Sequence, residues 1–168
     1  MPWRTAIFDQ ILSPERLDLL PHLTTLAIAY LLALPIGWNR EREERSAGLR
    51  TFPLVAVACC GFVQAAEVRL GSTPEAMGSV IEGLITGIGF IGGGAILKLN
   101  SSVRGTATAA SLWATGAIGT AVGLGSYDVG AVIAFLTVVS LIALPRFKPR
   151  TTTNLEDEAA ADAKFAQD

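Results

Sequence analysis

Charge is what this chain has least of. Asp, Glu, Lys and Arg make up 17% of its 168 residues, where a soluble domain carries roughly 25%. It has one histidine, His22, and two cysteines, Cys59 and Cys60, which are neighbours. Adjacent cysteines cannot brace a fold, so a disulfide scaffold is excluded. A single histidine with no cysteine near it offers no ligand set for a transition metal. It also allows no Ser–His–acid or Cys–His arrangement, which argues against a conventional hydrolase. The formal net charge is −2, so nothing marks nucleic acid as a partner. Low hydrophobicity is missing too: 51% of residues are hydrophobic and the mean hydropathy is +0.46. Disorder is therefore excluded for most of the length. The class left is an integral membrane protein.

The net charge divides unevenly. Residues 151–168 hold five acids (Glu156, Asp157, Glu158, Asp162, Asp168) against Lys164, a net of −4, which leaves the first 150 residues at +2. That end reads as a solvated, disordered acidic tail over 146–168.

A helix crosses the hydrocarbon core with about 20 mostly apolar residues. Five stretches qualify as spans: 19–38, 51–68, 80–97, 105–127 and 129–145. Gly123-Leu-Gly-Ser-Tyr-Asp128 between the last two has the Gly, Ser and Asp of a tight turn. Ten basic residues fall on one side, among them Arg40, Arg42, Arg45, Arg50, Lys98, Arg104, Arg146 and Lys148. Arg4, Arg16 and Arg69 fall on the other. The positive-inside bias then places the N-terminus outside and the C-terminus in the cytoplasm. The expected fold is an all-α integral membrane protein with about five transmembrane helices over 19–145. Residues 1–18 carry five charges and do not read as a cleavable signal. They form a leader, either frayed or lying as a short helix at the membrane surface.

Glycine, with 17 copies, is concentrated in the third and fourth spans. Gly87-Ile-Gly-Phe-Ile-Gly92 matches G-x-G-x-x-G, but it lies inside an apolar span with no acid about 20 residues on, so a dinucleotide site is not supported. Gly83, Gly87, Gly89 and Gly93 instead place small residues one turn apart, as close helix packing requires. Ala110, Ser111, Thr115, Gly119 and Gly123 continue the pattern and suggest a tight antiparallel hairpin. Thr86, Thr108, Ser111 and Thr115 are placed to hydrogen-bond across it. The run Gly92-Gly93-Gly94 allows a second reading, a broken helix exposing carbonyls to an ion.

At the outer side, Glu67, Arg69 and Glu82 form a charged cluster, read either as an interfacial ion-pair network or as the mouth of a cation site. The loop Asn39 to Arg50 alternates sign, with Glu41 and Arg45 at helical spacing. Arg50 and Thr51 could hold a phosphate headgroup or another anion.

Three segments together resemble the MgtC/SapB family of bacterial membrane proteins. IGWNRE (36–41) with SAGLRTFPLV (46–55) is similar to G-x-E-R-E … A-G-L-R-T-x-x-L-V. TGIGFIGGGAIL (86–97) is similar to G-I-G-F-L-G-A-G-x-I. VRGTATAASLWATGAIGTAVGLG (103–125), which contains Trp113, is similar to V-R-G-L-T-T-A-A-x-L-W-x-x-A-x-G. The acid of the first motif is Asn39 here, unless the register slides to Glu41. The resemblance covers the membrane domain without the soluble domain of many relatives. It places Asn39, Arg40, Glu41, Arg50, Thr51 and Arg104 on a cytoplasmic face. It implies a bacterial inner-membrane protein linked to magnesium-limited growth, intracellular survival or acid tolerance.

The expected function is non-enzymatic: modulation of magnesium or proton homeostasis, through a homo-oligomer or a membrane-protein partner packed on the glycine-rich spans. The alternative is a small oligomeric transporter of a divalent cation such as magnesium, or of a solute. It would use Glu67 and Glu82 as the entry and the Gly92–Gly94 carbonyls as a central site. Neither reading calls for a cofactor. An enzyme acting on lipid or phosphate at the Arg-rich face lacks a nucleophile–base pair.

Overall fold

The computed structural model describes residues 19–43, 47–71, 73–99 and 102–147. The leader over 1–18 and the tail beyond 147 lie outside them. Five α-helices occupy the described residues: α1 (Leu19–Arg42), α2 (Thr51–Leu70), α3 (Pro74–Gly94), α4 (Thr106–Gly123) and α5 (Tyr127–Ala143). A 3-10 turn, Leu144–Phe147, follows α5. Helices α1, α2 and α3 are long and apolar enough to cross a membrane, and α5 is a shorter apolar helix. The all-α membrane architecture expected from composition is the one observed.

Both boundaries of α3 differ from hydropathy alone, for local reasons. Helix α3 begins at Pro74 rather than residue 80. Proline at the first helical position gives up only an N–H that has no intrahelical partner, and Glu75 in the first turn suits the positive end of the helix. Its other end stops at Gly94, because the chain turns there into a hairpin. Strand β1 (Leu97–Leu99) pairs antiparallel with β2 (Ser102–Arg104), Lys98 opposite Val103. Gly105 closes this hairpin at φ +89°, where a side chain would be strained and a Cβ would also strike the Ala95 carbonyl oxygen. The turn between α4 and α5 is as expected, with Gly125 at φ +77°. Pro35 lies inside α1, a placement that membrane helices tolerate.

Helix α4 is the centre of the bundle and packs on α1, α2, α3 and α5. Its buried residues run through Ser111, Leu112, Thr115, Gly116, Ile118, Gly119, Val122 and Gly123. Around it sit Ala29, Ala33 and Ile36 of α1, and Phe52, Ala56 and Cys60 of α2. In lipid no hydrophobic drive pulls helices together, so close backbone approach and dispersion must hold them. The glycines of α4 supply that approach. A Cβ on Gly119 would lie 2.2 Å from the Ala56 carbonyl oxygen, and one on Gly123 would lie 2.8 Å from Val63 Cβ. Gly116 makes room for Ile88 of α3.

The packing partners therefore differ from the expected glycine hairpin. Gly119 and Gly123 face α2. In α3 only Ile88 and Gly92 are buried, Gly92 resting on the Ala109 backbone of α4. Among the described residues, nothing lies within 4 Å of a Cβ placed at Gly83, Gly87, Gly89, Gly93 or Gly94. These glycines form an open surface on α3, because the stripe that meets α4 runs through Ile88 and Gly92 instead. Three of the four hydroxyls expected to bridge helices also stay at home. Thr86 donates to the Glu82 carbonyl, Ser111 to Ala107 and Thr108, and Thr115 to Ser111. Back-bonding of this kind satisfies a hydroxyl within its own helix.

Candidate functional site

The motif residues at the end of α1 and the start of α2 build a clasp. Gly37 lets α1 approach the next segment so closely that a Cβ there would stand 3.2 Å from both the Gly48 oxygen and Leu49 Cα. One turn on, the Glu41 carboxylate accepts the Leu49 backbone N–H at 3.0 Å. A Cβ on Gly48 would push that carboxylate aside, since it lies where the Cβ would stand. The Gly48 carbonyl accepts the N–H groups of Thr51 and Phe52, which starts α2. Of these two motif residues, Glu41 ties the end of α1 to Leu49, while Asn39 accepts from Arg40.

Arg40 is 2% exposed. Its Nε and Nη2 donate to Asn39 Oδ1 at 3.3 and 2.8 Å. Nη2 also lies 3.0 Å from Glu43 Oε2, an i,i+3 ion pair. A guanidinium this deep needs such partners, since an unpaired buried charge is costly. Arg50 and Arg104 are exposed and Thr51 half-buried, so Arg40 is the member of the expected basic face that enters the bundle.

Beside Arg40 and Glu43 opens a cavity of about 900 Å³. Ala107, Ala110, Ser111 and Ala114 of α4 form one wall, and Ile133, Leu136, Thr137 and Ser140 of α5 the other. The sequence pattern did not single it out. Its one available signal was the row of small residues on α4 at helical spacing.

The opposite end of the bundle holds a smaller cavity of about 410 Å³. It gathers His22 and Thr25 of α1, Gln64 and Glu67 of α2, and Tyr127 of α5. Glu67 and His22 thus line one cavity, a proximity hidden by their separation along the chain. Arg69 and Glu82, the other members of the expected outer cluster, are exposed, and among the described residues no ion pair joins the three. No group of three or more His, Cys, Asp or Glu able to hold a metal occurs among the described residues.

The remaining candidates divide. Thr108 and Ser111 are buried in α4, and Trp113 on the same helix is half exposed. The Gly92 and Gly93 carbonyls accept the N–H groups of Ala95 and Ile96 at 3.1 Å, so the triple glycine forms the last turn of α3. Cys59 and Cys60 are buried free thiols on α2.

The family model described as the MgtC family matches residues 26–150. Protein MgtC of Salmonella typhimurium (strain LT2) is 34% identical over 163 residues, covering 87% of this chain and 69% of the relative. Protein SrpB of Synechococcus elongatus is 33% identical over 135 residues, covering 73% of this chain and 74% of its own. Protein MgtC of Brucella abortus is 41% identical over 122 residues, 72% of this chain and 50% of its own. No solved structure matches the chain.

Proposed function

Because this chain belongs to the MgtC family, we propose that it is a non-enzymatic membrane protein that modulates magnesium or proton homeostasis by presenting α3 to a second membrane helix. In this reading it is a multi-pass protein of the bacterial inner membrane, with the Arg40 end in the cytoplasm as the basic bias favours. The observation that carries the reading is the open glycine surface of α3. Gly83, Gly87, Gly89 and Gly93 have nothing among the described residues within 4 Å of a Cβ position, and Phe90 beside them is 86% exposed. Small residues one turn apart permit a close helix–helix crossing, and the bundle itself leaves this surface unused.

Gly89→Leu with Gly93→Leu tests it. The variant is expected to fold with unchanged thermal stability, because both sites are open. It is expected to lose chemical cross-linking, either to another copy or to a membrane partner, and to fail in rescuing growth at limiting magnesium. Full cross-linking together with full rescue would overturn the reading.

The cavity lined by both Glu67 and His22 favours a second reading, a small cation transporter with that cavity as its entry. Magnesium flux into liposomes carrying the purified chain, abolished by Glu67→Gln, is the result expected of it. Liposomes that stay impermeable to magnesium would discard it.

A further inference from the structure

The large cavity at the Arg40 end has dimensions, walls and charges that together describe a ligand. From Ile133 to Leu144 it follows the α5 side of the bundle for roughly 16 Å at 1.5 Å per residue. That is about half of a ~30 Å hydrocarbon core, the depth of one leaflet. Its volume of about 900 Å³ lies within the range of small-molecule sites, roughly 300–1,000 Å³.

The walls ask for hydrocarbon rather than water. They are mostly Ala, Ile and Leu, and two of their three hydroxyls are already committed. Ser111 donates to Ala107 and Thr108, and Thr137 to the Ile133 carbonyl. A chain of methylenes against such walls leaves neither of these hydroxyls unpaired.

The charged end sets the order of the head. The Arg40 side chain is 3% exposed and that of Glu43 33%, so positive charge lies deep and negative charge lies toward the surface. In a phospholipid the phosphate sits next to the glycerol, and any amine lies farther out. A head bearing both a phosphate and a terminal ammonium therefore meets Arg40 and then Glu43 in matching order. A head with phosphate alone would leave its outer part facing the Glu43 carboxylate. A purely cationic amphiphile would face Arg40.

We propose that the cavity between α4 and α5 is a binding site for one phospholipid with a phosphate–ammonium head, phosphatidylethanolamine by chemistry, held by Arg40 and Glu43 at its head and by the walls of α4 and α5 along one acyl chain. The test uses the purified full chain in nanodiscs of equal phosphatidylethanolamine and phosphatidylglycerol, followed by native mass spectrometry of the lipid it retains. One phosphatidylethanolamine per chain is expected, favoured by about tenfold over phosphatidylglycerol. Ala110→Phe and Ser140→Phe fill the cavity from exposed positions, so they should lose that lipid while melting at the parent temperature. Glu43→Gln removes the group that meets the ammonium, and retention should shift toward phosphatidylglycerol. A merely structural Glu43 would leave that selectivity where it was, which would overturn the assignment. Retention unchanged by both phenylalanines, or equal retention of the two lipids by the parent, would do so as well. So would a photo-cross-linker at Thr137 that captures residues 148–168 in place of lipid.

Discussion

Leucine at position 119 is expected to drive α4 off α2 and to cost more than ~3 kcal/mol, the upper end of what overpacking usually does. The reason is the kind of atom in the way. A Cβ at Gly119 meets the Ala56 carbonyl oxygen at 2.2 Å and its carbonyl carbon and Cα at 2.9 Å, and backbone cannot rotate aside as a side chain can. The only relief is separation of two helices whose contact anchors the bundle. Gly83→Leu is the matched control, since nothing lies within 4 Å there. It should unfold with the parent, or slightly later, because glycine within a helix is itself worse than a residue with a Cβ by roughly 0.5–1 kcal/mol. Unfolding in micelles, followed by loss of compactness on titration with a denaturing detergent, reads both. A Gly119→Leu protein that resists as well as Gly83→Leu would mean that α2 and α4 do not meet as described.

Reversing the charge at Arg40 is the second large effect. Arg40→Glu sets a carboxylate at a site 2% exposed, one turn from Glu43, and removes the donors that Asn39 accepts. The expected loss is about 3–5 kcal/mol, the range for breaking a buried pair. Arg40→Leu should lose less, because Glu43 is a third exposed and keeps contact with water. Arg40→Lys keeps the charge but not the planar fork that reaches Asn39 and Glu43 together, so it should fall between Leu and the parent. The same detergent titration gives the order. If Glu, Leu and Lys at this position all matched the parent, the guanidinium would have no part in holding α1.

The helices and the membrane class were legible because both follow from local runs of apolar residues. The turn around Gly125 was legible for the same reason, since its residue types act within a few positions. What could not be read was any property that depends on which helix lies beside which. Spacing of Gly83, Gly87, Gly89 and Gly93 marks a smooth face, yet it says nothing of whether a neighbour covers it, and here none of the described residues does. Gly119 and Gly123 carry the same signature, and there α2 fills the space. Arg40 sits in an alternating charge run that looks solvated throughout, and only its three-dimensional neighbours show that one charge of the run is interior. Glu67 looked like a companion of Arg69 and Glu82, which are close in hydropathy terms. Its cavity is shared instead with His22, from a helix the pattern gave no reason to associate with it. The β-hairpin over 97–104 was read as the end of a span and a basic connection, because strands of three residues leave no periodicity to detect.

The small side chains along α4 also determine how this chain can change over generations. Glycine and alanine lose almost no side-chain freedom when they are buried, and serine and threonine lose little. Burying α4 at the centre of the bundle therefore costs little side-chain entropy. The same economy of atoms makes mutation there directional. Trimming is hardly available, because little remains to remove, and enlargement meets backbone. The helix that touches every other one should drift slowly by sequence, while open positions such as Gly83 and Phe90 on α3 are free to vary with whatever lies against them.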